Sequence, residues 1–88
     1  MEKRIGSVLI LLQEKEAAPE VNAIISNHSS IIIGRQGLPI KNTISGIISL
    51  VLEGTTDQIG SLTGQLGRIT GVEVKSVVLK TRDKYEQD

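Results

Sequence analysis

Apolar residues set the rhythm of this chain. Residues 5–12 form a run that is apolar on both faces, the pattern of a strand covered on both sides. A polar connector over residues 14–18 follows. Pro19 then fits the first turn of a helix, where its missing N–H costs nothing. Val21, Ile24, Ile25 and His28 recur at helical spacing as one stripe, ended by Asn27-His28-Ser29-Ser30. Ile31-Ile32-Ile33 opens a second strand that runs through Gly34-Arg35-Gln36-Gly37 towards Leu38-Pro39, and a turn is expected over residues 40–43. Residues 43–53 alternate most clearly. Ile44, Gly46, Ile48, Leu50 and Leu52 share one face, and Thr43, Ser45, Ile47, Ser49, Val51 and Glu53 share the other. Gly54 stops this strand, and Thr55-Thr56-Asp57-Gln58 spells a capping box. Ile59, Leu62, Leu66 and Ile69 form the second helical stripe, with Gly71 as its stop. Residues 72–80 are the last strand. Its apolar phase changes near Ser76, which predicts a bulge or burial on both faces.

The order β-α-β-β-α-β predicts an α+β, ferredoxin-like sandwich: a four-stranded antiparallel sheet with two helices on one face. One domain over residues 1–80 is expected, with a charged, frayed tail over residues 81–88. The uncovered face is the informative one. With a period of two, Val8 or Leu9, Ile47, Val51, and Val77 or Val78 cannot all point towards the helices. Some must form an apolar patch on the open face or at an edge, which predicts a homo-oligomer, a homodimer or a homotetramer.

Composition sharpens this picture. The core is aliphatic, with 13 Ile, 9 Leu and 7 Val, no Phe or Trp, and one Tyr. Lys+Arg and Asp+Glu are 10 each, so the chain lacks the basic excess and the stacking aromatics of a nucleic-acid binder. Cys is absent, which removes disulfides, a thiolate nucleophile and thiolate metal sites, and points to a cytoplasmic setting. Basic residues precede the first apolar run as in a signal peptide. The run is short, however, and Gln13-Glu14-Lys15-Glu16 follows in place of a small-residue cleavage site. It is also too short to span a bilayer as a helix, so no membrane role is expected.

No constellation for catalysis is present. No Ser sits in a G-x-S-x-G elbow, and no carboxylate pair has the spacing for acid–base work. His28 is the lone histidine, read as a partly buried residue whose polar edge reaches solvent or a carbonyl near the helix end; the alternative is an acid–base group or a metal ligand completed by a symmetry-related copy, and no metal or other cofactor is expected. Gly60, Gly64 and Gly67 form a stripe inside the second helix, costing on the order of 2–3 kcal/mol against Ala. Such a stripe points to close packing, or to an interface where a partner or ligand lies against bare backbone. Arg35, between two glycines, is a solvated strand residue or an anion-binding fork.

The segment from Ile33 to Pro39, read with Leu62-Thr63-Gly64-Gln65-Leu66-Gly67 and Gly71-Val72-Glu73-Val74-Lys75, resembles the iron-only hydrogenase system regulators. The resemblance implies an ACT-like domain similar to the C-terminal domain of the nickel-responsive regulator NikR. It implies a non-catalytic regulatory module with a small effector at a subunit interface, near residues 13–21. Glu20, Asn22, Arg35 and Gln36 are the ligand-binding candidates. The nickel site of NikR uses His and Cys and is not carried over, because this chain has one His and no Cys. The other role it implies is a protein-binding accessory of a hydrogenase system, acting through a sheet edge or a helix.

Overall fold

The computed structural model describes residues 2–39 and 46–80. Strands β1 (Arg4–Leu12), β2 (Ile32–Leu38), β3 (Gly46–Gly54) and β4 (Val72–Val78) form one antiparallel sheet in the order β2-β3-β1-β4. Helix α1 (Ala18–Asn27) joins β1 to β2, and α2 (Thr56–Gly67) joins β3 to β4. This is the ferredoxin-like βαββαβ arrangement. The turn expected over residues 40–43, the start of the third strand and the charged tail lie outside the described residues.

Period-two alternation decides the layering. On β1, Val8, Ile10 and Leu12 point at the helices and are buried. On β3, Ile48, Leu50 and Leu52 do the same. The helices meet them with Val21 and Ile25 from α1 and with Ile59, Leu62 and Leu66 from α2, followed by Ile69. The long alternating strand therefore buries the face expected of it.

Two expectations need correction. The first strand is covered on one side only: Leu9 is 54% exposed, while Val8 and Ile10 on either side are fully buried. The last strand has no bulge, since its register against β1 runs unbroken from Leu12↔Val72 to Gly6↔Val78. Nor are both its faces buried. Ser76 occupies a helix-side position at the sheet edge, and Val77 lies on the open face at 65% exposure. The sheet's irregularity is in β2 instead, where the pairing shifts between Ile32 and Gly34. Ile31 is not part of that strand; it closes a short 3-10 turn (Ser29–Ile31) and is buried there.

The capping box forms as its spacing predicts. The Gln58 N–H donates to Thr55 Oγ1 at 3.1 Å, and the Thr55 N–H donates to Gln58 Oε1 at 2.9 Å. Gly54 makes room for it, because a Cβ there would lie 2.9 Å from Gln58 Oε1 and 3.0 Å from the Ile31 side chain. Helix α2 ends at Gly67, ahead of Gly71. Gly71 turns the chain into β4 with φ +82°, and its carbonyl accepts from the Gln13 N–H at 2.8 Å.

Candidate functional site

The face of the sheet away from the helices is the most distinctive surface. Ser7 lies between Val51 and Val77, Leu9 between Ser49 and Lys75, and Leu11 between Ile47 and Glu73, while Leu38 opposes Ile47. Val51 is 42% and Leu38 51% exposed, so nothing within the described chain covers this surface. It has an aliphatic middle and a polar flank on β4 at Glu73 and Lys75. An apolar surface ringed by polar groups marks an interaction site rather than a catalytic one.

The ligand-binding candidates are spread over three places. Arg35 opposes Leu50 and so points to the helix side of edge strand β2. There its Nη2 donates to Asn22 Oδ1 at 2.7 Å, tying β2 to α1. Glu20 is two residues before Asn22 and therefore on the other flank of α1. It lines an open groove of about 290 Å³ between the helices, with Ile24, Gln65 and Arg68. Gln36 opposes Ser49 on the open face of the sheet. The structure thus brings Arg35 and Asn22 together and separates both from Glu20 and Gln36.

Arg68 was not singled out by its sequence pattern, although Ser61, Gln65 and Arg68 fall at i, i+4, i+7 and so share one side of α2. That side faces α1. Gln65 Nε2 donates to Ser61 Oγ at 3.0 Å, and Ser61 Oγ lies 3.3 Å from His28 Nε2. His28 Nδ1 lies 2.8 Å from the Ile24 carbonyl, which accepts only from a protonated nitrogen. His28 thus clamps the end of α1 and bridges to α2. No group of three or more potential metal ligands occurs among the described residues.

The glycine stripe lies about a quarter turn around α2 from Ser61 and Gln65, away from the core-facing Ile59, Leu62 and Leu66. A Cβ at Gly60, Gly64 or Gly67 would meet nothing within 4 Å. Close packing against the described residues is therefore not what these glycines serve.

Fold and site together define a small ferredoxin-like module with an uncovered apolar sheet face. The chain belongs to the TM1266-like family, described as "Iron-only hydrogenase system regulator, putative", whose profile matches residues 4–76. It is 41% identical to the uncharacterized protein TM1266 from Thermotoga maritima, over 90% of this chain and all of that one, with a TM-score of 0.84. The C-terminal domain of the MgtC protein from Mycobacterium tuberculosis shares the fold at 18% identity, with a TM-score of 0.65 and coverage of 86% of this chain and 87% of that one. No curated protein matches the chain. No helix among the described residues is long and apolar enough to cross a membrane.

Proposed function

We propose that the protein is a non-catalytic regulatory module that works as a homo-oligomer and takes a small effector at or near a subunit interface. The observation that carries this reading is the open sheet face, where Leu9, Leu38, Val51 and Val77 stand exposed; Ile33, Val78 and Leu79 are exposed as well. Leaving several aliphatic side chains in water is unfavourable by roughly 25 cal/mol per Å², and a second subunit relieves it. Family membership supports the regulatory role. The effector reading is supported by the inter-helix groove, where Glu20 and Arg68 offer opposite charges beside the apolar Ile24. That combination suits a small polar molecule carrying both signs of charge.

A thermal-shift screen of the twenty amino acids and the common nucleotides tests the effector. A ligand specific for the folded state, present at about 100 times its Kd, stabilises by roughly 2.7 kcal/mol. A clear rise in Tm with one chemical class is expected, abolished by Arg68→Ala. No rise with any compound contradicts the effector. It would favour the second reading, a protein-binding accessory that takes a partner strand at a sheet edge. That reading is supported by the edge strand β4.

A further inference from the structure

The two sheet edges are not alike. Edge strand β2 carries the devices that discourage strand addition: a register shift between Ile32 and Gly34, then Gly37, with Pro39 just beyond. Edge strand β4 (Val72–Val78) has no proline, no glycine and no break in register. The backbone groups at its outer edge can be identified. The Leu79 N–H donates to the Ile5 carbonyl, and the Gly71 carbonyl accepts from Gln13, so odd-numbered residues of this strand turn their N–H and C=O towards β1. Val72, Val74, Ser76 and Val78 therefore turn theirs outwards, where no strand of the described residues lies.

We infer that β4 pairs antiparallel with the β4 of a second copy, about a two-fold axis through Val74, making one continuous eight-stranded sheet. This inference rests on the homo-oligomer reading and adds to it an edge contact distinct from the open sheet face. Three constraints select the register. The axis must stand perpendicular to the sheet to keep both helix layers on one side, so only like-faced residues can oppose each other. The outward groups of Val72, Val74 and Ser76 must meet those of the partner's Ser76, Val74 and Val72, as they do here. The side chains must agree in charge. Centred on Val74, each Glu73 stands opposite the partner's Lys75, giving two opposite-charge pairs. Centred on Lys75, the hydrogen-bonding groups would match equally well, but two lysines would be face to face.

The same arrangement gives the glycine stripe a purpose. Strands lie about 4.8 Å apart and packed helices about 10 Å apart, so α2, above β1 and β4, stands roughly 5 Å from the seam. Its symmetry mate then lies about 10 Å away, at packing distance. Gly60 and Gly67 lie on the flank of α2 away from both the sheet and Gln65, the flank nearer that mate, with open space before them, while Gly64 turns to the outer surface. Bare backbone there lets the two helices close on each other. The open faces of the two subunits then lie side by side, two aliphatic patches separated by the Glu73 and Lys75 pairs of the seam.

Charge reversal tests the seam. Sedimentation equilibrium of the full-length chain, from micromolar to millimolar concentration, gives its self-association constant. Glu73→Lys sets lysine against lysine, and Lys75→Glu sets glutamate against glutamate, so each alone weakens association at least about fivefold. Mixed, with one variant isotopically labelled, they restore complementary pairs and form a heterodimer. Glu2→Lys and Lys3→Glu, away from the seam, control for net charge and should neither weaken association alone nor favour a heterodimer when mixed. If the wild type associates and the seam variants associate as tightly, β4 pairing is overturned while the homo-oligomer stands. If the wild type is a monomer throughout, both fall. Ser76→Pro supplies a second readout. It removes an outward N–H that no strand among the described residues uses, so it should abolish association and leave the circular dichroism of the subunit unchanged. Retained association in this variant also overturns the pairing.

Discussion

Arg35 reaches from edge strand β2 back to Asn22 on α1, with its guanidinium 2.7 Å from the amide oxygen. Both side chains are exposed, so the bond competes with water and adds little to stability. Arg35→Ala should cost less than about 1 kcal/mol in urea unfolding. A cost above about 2 kcal/mol would mean that the pair is a structural tie, closer to a buried hydrogen bond.

Two glycines one helix apart should respond with opposite signs. Gly54→Ala places a Cβ 2.9 Å from Gln58 Oε1 and should destabilise the chain by about 1–3 kcal/mol, loosening the cap of α2 as well. Gly64→Ala meets open space and should raise the stability of the dilute chain by about 0.5–1 kcal/mol through helix propensity. Gly60→Ala, on the flank nearer the mate, should also weaken association at high concentration, because the added methyl groups stand between paired helices. Melting curves at two protein concentrations separate the two effects.

The capping box gives a calibrated local change. Thr55→Ala leaves the Gln58 N–H without its side-chain acceptor and should cost about 1 kcal/mol, with Thr55→Ser close to neutral. Chemical denaturation of the two variants checks the difference.

Core and open face should separate cleanly. Leu50→Ala, at a fully buried position on β3, should cost about 2–5 kcal/mol whatever the concentration. Leu9→Ser, on β1 but at 54% exposure, should change the stability of the isolated subunit by no more than about 0.5 kcal/mol. Its effect should appear in assembly instead, as a lower Tm only at concentrations where the wild type is associated.

Much of this fold was legible because local signals agreed. The alternation at Ile48, Leu50 and Leu52, the stripe Ile59, Leu62, Leu66 and the Thr55–Gln58 box each name one element and one buried face. Strand β4 misled because Val77 and Val78 are both apolar while only one can face the helices. The pattern reads as a bulge, yet the chain continues straight and leaves Val77 exposed. The first strand misled in the same way, since an apolar residue on the open face looks like one buried within a single chain. The site was less legible. Glu20 and Arg68 are far apart in sequence and meet only because α1 and α2 lie side by side. Glu20 and Asn22 are neighbours in sequence that helical geometry sends to opposite flanks.

Native mass spectrometry of gently purified protein decides whether this chain works as an assembly carrying a bound effector. The predicted result is an even multiple of the 9.5 kDa subunit mass, with additional retained mass that identifies the class of effector. A species at the single-subunit mass, with nothing bound, would contradict the claim.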